Sequence, residues 1–410
     1  MAGSVTQSQT LSGNDYNLRH LRVLLAAIDT SSVTKAAIMC HLSQPAVTQA
    51  LSRLEKRLNT QLFTRTPQGI FANLECQALA RRVRRAFAFL DPALEEISPR
   101  LKMVASASQL QALIAVTETC NFTLAARRLG LAQPTIHRAV SQLEEEASRP
   151  LFERTSYGIV ATRVCAALAQ SARLAFAEFA QAEVDLAEMR SQEAGRIVVG
   201  AMPLSRAFLL PRTIAKFRQS RPKIVIQIVE GPYADLLSGL RRGEIDFLIG
   251  ALRDPAPIGD VEQRFLFSDT VVIVCGNDHP LASRESVQIE QLASYPWVVS
   301  HPGTPIRQHF DALFQDMSCK PDCIIESSSL ILMRELLSST DHLGCISYLQ
   351  AEAELARGLV KVLPLDLSHT ARPIGLTLRV NWVPTLAQQQ FLDILSQPSA
   401  LRTDARNTQI

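Results

Sequence analysis

The feature that most limits what this chain can fold into is an internal repeat. When residues 21–79 are laid over residues 110–168, an offset of 89 without a gap, 24 of 59 positions are identical. Self-similarity at a fixed spacing is the signature of one folding unit present twice. The matches include Thr34, Ala36 and Ala37 with Thr123, Ala125 and Ala126, then Leu42, Gln44 and Pro45 with Leu131, Gln133 and Pro134. They continue through Leu54-Glu55 and Leu143-Glu144, and both copies close on Leu-Phe-x-Arg-Thr-x-x-Gly-Ile, at 62–70 and 151–159.

Each copy reads as helix, short helix, turn, longer helix and hairpin. In the first, Leu18, Leu21, Leu24, Leu25 and Ile28 recur at helical spacing, and residues 34–40 form a second short helix in which Ala36 and Ala37 permit close crossing. Ser43 suits the N-cap of a third helix running to about Leu58, and Pro45 is tolerated in a first turn whose amides lack intrahelical partners. Its apolar stripe, Val47, Ala50, Leu51 and Leu54, leaves Gln44, Thr48, Gln49, Ser52 and Arg53 facing outward. A short helix, a tight turn and a polar-faced helix form the geometry that sets the last helix in a DNA major groove. Residues 63–72 supply a wing, with Arg65 placed for a phosphate.

The residues expected to contact DNA are therefore Ser43, Gln44, Pro45, Thr48, Gln49, Ser52, Arg53 and Arg65 in the first copy. In the second they are Gln133, Pro134, His137, Arg138, Ser141, Gln142 and Arg154, which implies a different base preference. Ala132 stands where the first copy has Ser43, so the second helix loses a cap worth about 1 kcal/mol.

These motifs resemble the LysR family of bacterial transcription regulators, whose pattern of Ala-Ala, Ser-Gln-Pro-Ala, Leu-Glu and Leu-Phe-x-Arg is met here by Ala36-Ala37, Ser43-Gln44-Pro45-Ala46, Leu54-Glu55 and Leu62-Phe63-Thr64-Arg65. The second copy departs from it at Ala132-Gln133-Pro134-Thr135, and a non-binding role for that copy, such as dimerisation, stays open.

Charge separates the copies. Residues 18–86 carry 11 Lys or Arg against 3 Asp or Glu, whereas the equivalent residues 107–175 carry 7 against 5. Phosphate neutralisation supplies most non-specific affinity, so the first copy is expected to bind DNA more strongly. Where the first copy has Glu55, Lys56 and Arg57, the second has Glu144, Glu145 and Glu146, which weakens phosphate contact. The run Arg81, Arg82, Arg84 and Arg85 reads either as a further phosphate contact or as a solvated face.

Beyond the second copy, residues 164–192 read as one long helix, with Leu168, Ala172, Ala175, Phe179, Ala182, Leu186 and Met189 spaced 4-3-4-3-4-3. That heptad seam favours coiled-coil pairing with another chain or another helix, and the resembling family uses its linker helix to dimerise. The corresponding helix after the first copy is expected to be cut short by Pro92 and Pro99. After Gly195, short apolar strands alternate with helices at 197–250, a second such group follows at 270–347, and residues 372–379 return to the first lobe, implying α/β organisation with parallel sheets. Two such lobes make a cleft at the carboxyl ends of their strands.

This half resembles the LysR effector domain, which is similar to a periplasmic solute-binding protein. The segments 200–205, 303–307, 325–329 and 372–375 resemble the branch of galactose-binding-protein and protocatechuate regulators. The resemblance implies an effector, a sugar or an aromatic acid, near Pro203, Leu204 and Ser205, around Gly231 and Tyr233, and across the cleft near Gly303 and Thr304. Arg206 and Arg307 are candidates to pair with a carboxylate, or simply surface ion pairs.

The fold class expected is thus multidomain: two all-α winged helix-turn-helix domains (17–90 and 107–163) with a linker at 91–106, a linker helix (164–192), and a two-lobed α/β effector domain like a periplasmic-binding protein (195–398). Residues 1–16 read as a disordered N-terminus and 399–410 as a tail. The function implied is effector-gated, sequence-specific DNA binding in the cytoplasm. Double-stranded DNA, a small effector, further copies of the chain (dimer or tetramer, through the linker helix) and RNA polymerase are the candidate partners, and no metal or cofactor is expected. Eight scattered cysteines, of which only Cys319 and Cys323 lie close, read as free thiols. An enzyme is disfavoured because no HExxH, GxSxG, P-loop or GxGxxG pattern organises the carboxylates and eight histidines. A solute-binding protein would need the secretory signal that the first sixteen residues do not resemble.

Overall fold

The computed structural model describes residues 16–156, 158–255 and 258–397. The chain divides into two units, 1–195 and 196–410. The first fifteen residues and the tail after 397 lie outside the described residues, but Tyr16, expected in a disordered segment, is buried. Its ring packs 5.4 Å from that of Phe179 and beneath the Arg57 guanidinium at 3.7 Å. No helix among the described residues is long and apolar enough to cross a membrane.

In the amino-terminal unit the first copy comprises α1 (Leu18–Thr30), α2 (Val33–Met39), α3 (Gln44–Leu58) and a hairpin of β1 (Phe63–Thr66) and β2 (Gly69–Ala72), followed by α4 (Leu74–Ile97). A short helix, α5 (Leu101–Val104), leads into the second copy: α6 (Ala107–Thr119), α7 (Phe122–Leu129), α8 (Gln133–Ala147), the hairpin β3 (Phe152–Thr155) and β4 (Gly158–Ala161), and α9 (Arg163–Met189). Side-chain caps start seven of these helices, with Asn17, Ser32, Ser43, Asn73, Ser106, Asn121 and Thr162 each accepting from a first-turn amide.

The expected break at Pro92 does not occur, because α4 runs through it to Ile97. An interior proline costs about 3 kcal/mol, and Pro92 itself is exposed, so burial of the opposite face offsets that loss. That face, with Leu79, Val83, Ala86, Leu90 and Leu94, joins α9 in one hydrophobic core. On α9 the buried seam is Leu168, Ala172, Ala175, Phe179, Ala182 and Leu186, each 3% exposed or less. The heptad seam thus pairs with a helix of the same chain.

In the second unit, β5 (Arg196–Ala201) leads through a π-helical turn (Ser205–Leu209) into α10 (Leu210–Ser220), β6 (Val225–Val229), α11 (Tyr233–Arg241), β7 (Phe247–Ala251) and β8 (Val261–Asp269). The second lobe holds β9 (Val271–Cys275), α12 (Ile289–Leu292), β10 (Trp297–Val299), α13 (Pro305–Leu313), β11 (Ile324–Glu326), α14 (Leu330–Ser339), β12 (Leu343–Ser347), α15 (Tyr348–Leu355) and β13 (Lys361–Val362). The chain returns through β14 (Arg372–Arg379) and ends on α16 (Leu386–Leu395).

The sheets run β6-β5-β7-β14-β8 and β11-β10-β12-β9-β13. Both are mixed, not parallel as expected: β14 is antiparallel to β7 and β8, and β9 to β12 and β13. The antiparallel pairings involve the strands by which the chain crosses between lobes, since such strands enter each sheet from the opposite end. Phe217, Phe247 and Phe391 centre the first lobe's core, and Trp297 with Phe310 and Phe314 centres the second.

Candidate nucleic-acid interface and effector site

The recognition helices α3 and α8 are positioned by matching local rules. On α3, Val47, Ala50, Leu51 and Leu54 are buried; on α8 the buried set is Ile136, Val140, Leu143 and Ala147. Ser43 caps α3, its hydroxyl accepting from the Ala46 amide at 3.3 Å. Ala132 holds nearly the same backbone angles, φ −76° and ψ 142° against −77° and 153°, with no side-chain cap.

Sequence reasoning overlooked what the shared Leu-Glu pair does. A Glu55 carboxylate oxygen accepts from the amides of Leu62 and Phe63 at 2.9 and 3.3 Å, and Glu144 accepts from Leu151 and Phe152 at 2.8 and 3.2 Å. Each glutamate ties its recognition helix to the first strand of its wing. Glu144 is therefore a framework residue in both charge and position, not a loss of phosphate contact. The first wing is further fixed where Gly69, at φ +144°, sits so close to Ser31 that a Cβ would meet the Ser31 carbonyl at 2.4 Å.

Of the expected DNA contacts in the first copy, Ser43, Gln44, Pro45, Gln49, Ser52, Arg53 and Arg65 are exposed and Thr48 is half-buried. Gln44 donates to the Thr34 hydroxyl at 2.9 Å, joining the starts of α2 and α3. In the second copy Gln133, Pro134, His137, Arg138, Gln142 and Arg154 are exposed and Ser141 is half-buried. There the outward set is partly occupied: His137 packs on Phe122 with ring centroids 5.2 Å apart and lies 3.4 Å from the Ser141 hydroxyl, while Gln142 accepts from Gln109 at 3.2 Å.

The arginine run is not one face: Arg81 and Arg84 are exposed, whereas Arg82 and Arg85 turn inward to α9. Arg82 is 3% exposed and bonds Asp185, Glu178 and Gln181 of α9 at 2.7, 3.1 and 2.8 Å; Arg85 bonds Glu178 at 2.9 Å, and Arg84 pairs with Asp29. Arg57 pairs with Glu183, and Arg22 with Asp91. Only part of the first copy's positive excess is therefore available to phosphate: Arg19, Lys35, Arg53, Lys56, Arg65 and Arg81 form no ion pair among the described residues. The signal for Arg82 was its place in the stripe of Leu79, Val83 and Ala86, three residues after Leu79.

In the effector domain, Pro203, Leu204 and Ser205 follow β5, and Gly231 and Tyr233 follow its parallel neighbour β6, so the two groups share the carboxyl edge of one sheet. Leu204 is buried with Phe208, Ile374 and Leu349, the last from α15 of the other lobe. Ser205 is wholly buried and donates to the Met202 carbonyl at 2.8 Å. The Arg253 guanidinium lies over the Tyr233 ring at 4.7 Å. Gly303 is exposed with φ +80°, and Thr304 caps α13 beyond the carboxyl end of β10. Arg206 is paired with Glu230, and Arg307 with Asp311 and Glu326, so neither is a spare partner for a ligand carboxylate.

Sequence reasoning also missed a buried polar cluster where strands cross between lobes. Asp269, at the end of β8, accepts from the Ser347 hydroxyl and the Leu349 amide, and Arg372 of β14 lies 3.7 Å away. Burial pushes the Asp269 carboxyl up, opposed by the Ser347 hydrogen bond and by Arg372, and burial lowers the Arg372 guanidinium. A separate cavity of about 300 Å³, lined by Arg264, Phe265, Leu376, Gln389 and Asp393 among others, takes in none of the expected effector residues.

Two winged helix-turn-helix units ahead of a two-lobed α/β domain define a DNA-binding regulator with a ligand-binding domain. The profile of the bacterial regulatory helix-turn-helix protein of the lysR family matches twice, at 18–76 and 107–165, and that of the LysR substrate binding domain matches 190–398. The chain belongs to the LysR family. It is 32% identical to the HTH-type transcriptional regulator GalR of Pseudomonas putida over 385 residues, 93% of this chain and 97% of that one. So long a match cannot omit either repeat. The PcaQ regulator of Agrobacterium fabrum (27% identical) covers 72% of this chain and 96% of its own, and the uncharacterised regulator YdcI of Escherichia coli (29%) covers 66% and 89%. The chain is a transcription regulator, not an enzyme or a solute-binding protein.

Proposed function

We propose that both recognition helices contact duplex DNA through the polar residues named above, α3 supplying most of the affinity, and that a small effector held between the two α/β lobes gates this binding. The observation that carries the reading is the pair of exposed polar helix faces on matching, separately tethered frameworks, each with a wing arginine, Arg65 or Arg154, on its surface. The domain limits follow the two repeats and the two-lobed unit. Pro203, Leu204, Ser205, Gly231, Tyr233, Gly303 and Thr304 are the effector loops, with a sugar or aromatic acid as the ligand class. With Ser205 committed to Met202, the ligand would meet backbone and neighbouring side chains there.

Effector binding that favours one arrangement of the lobes shifts DNA affinity, and DNA shifts effector affinity by the same factor. Such a regulator acts in the cytoplasm, as an assembly of further copies, dimer or tetramer, and in contact with RNA polymerase. Genome-wide capture of DNA by the intact protein, with and without sugars and aromatic acids, tests the reading. Recovery of specific sites that changes with one ligand class is expected. Recovery without sequence preference would reject it.

A further inference from the structure

The two copies are not strung one after the other; α4 and α9 clasp them together. Arg82, early in α4, meets Asp185 late in α9, while Arg85 meets Glu178, so the helices run antiparallel. Phe87 and Phe179 meet edge to face near the middle, with ring centroids 6.2 Å apart. The ends are crossed in the same sense on both sides. The end of α3 touches the far end of α9, through Arg57 with Glu183 at 3.1 Å and through Arg190 with the Leu58 carbonyl and the Thr60 hydroxyl. The end of α8 touches the far end of α4, through Arg100 with Glu146 at 3.0 Å and Arg149 with the Glu96 carbonyl at 3.1 Å. Reciprocal contacts of this kind define an isologous, two-fold interface, here formed between two halves of one chain.

The pairing is also built to be unlike on its two sides. Arg82 has partners Glu178, Gln181 and Asp185; shifted by the repeat offset of 89, these positions are Phe89, Pro92 and Glu96. An α4 meeting a second α4 in this register would keep a carboxylate for its buried Arg82 at Glu96 but set Phe89 and Pro92 in place of Glu178 and Gln181. An α9 meeting a second α9 would set its buried Glu178 against Ser171 and Leu174 in place of Arg82 and Arg85. Leaving the buried Glu178 without either arginine is strongly unfavourable, so α9 selects α4 over a copy of itself.

We infer that one chain forms a complete two-headed DNA-binding unit, and that its partner is a duplex with two unlike half-sites, one read by α3 and the other by α8. The linker-helix seam is used up within the chain, so association of further copies falls to other surfaces. The inference rests on the DNA contacts proposed above, and its test has two arms that fail separately.

The first arm uses the full chain with Cys40, Cys120, Cys319 and Cys323 replaced by serine, leaving only buried thiols, and adds Thr60→Cys with Arg190→Cys. A short bismaleimide should join the two new thiols within one chain, leaving the mass of a single protomer, whereas covalent dimers would overturn the internal pairing. The second arm selects sites from random duplexes with the intact protein and with Arg53→Ala or His137→Ala/Arg138→Ala. Two unlike halves are expected, the first variant erasing the sequence preference of one half and the second that of the other. An inverted repeat whose halves both change with Arg53→Ala, and not with the second-copy variant, would overturn the unlike-site assignment. Failure to select any sequence would remove the DNA reading itself, and the cross-link result would then show whether the clasp survives without it.

Discussion

The two winged units share a backbone plan and spend their polar groups differently. In the first, the helix start is capped and the outward face of α3 is largely uncommitted; in the second, the cap is gone and His137, Ser141 and Gln142 are engaged with neighbours. What both keep is framework: the glutamate tether to the wing, the tight turn and the apolar stripe. A duplication preserves the contacts that make the fold and releases those that face outward.

The largest expected difference between the copies lies in the clasp. Arg82→Ala would leave Glu178 buried with half its partners gone and should lower stability by about 3 kcal/mol. Ser171→Ala, at the matching position, should change it by less than about 0.5 kcal/mol; similar shifts in urea midpoint would erase the asymmetry. Next comes DNA affinity. Arg53→Ala removes an exposed, unpaired cation from α3 and should weaken binding about tenfold or more. Gln142→Ala, which removes a group already bonded to Gln109, should weaken it about threefold or less. Equal losses in a titration at fixed salt would contradict the ranking. The smallest effect sharpens the comparison in reverse: Ala132→Ser should raise stability by about 1 kcal/mol by restoring the cap, because the backbone there already has the geometry of Ser43. No gain on thermal unfolding would mean that the second helix start is fixed by other contacts.

The repeat, the helix order, the wings and the outward faces were all legible in the sequence, since 3.6-residue periodicity and capping chemistry are local. So were most strands of the effector lobes. Their mixed direction was not, because an apolar strand reads the same whichever way its neighbours run. Nor was the fate of the arginines: the apolar stripe turns Arg82 inward, but its partners Glu178 and Asp185 come from α9, about a hundred residues away. The helix through Pro92 failed for the same reason, tertiary burial outweighing a local penalty. Of the loops proposed for the effector, sequence placed the strand ends but not the hydrogen bond that commits Ser205, nor the crossing cluster of Asp269, Ser347 and Arg372, which forms only once both sheets exist.

The clasp also changes what natural selection can act on. Where two identical chains present two recognition helices, every substitution alters both half-sites at once, and the paired head accumulates as the square of chain concentration. With α4 and α9 joined in one polypeptide, pairing is first order, so head number rises linearly with expression and has no dilution threshold. Each recognition helix can then drift alone, and an operator can change on one side while the other stays fixed.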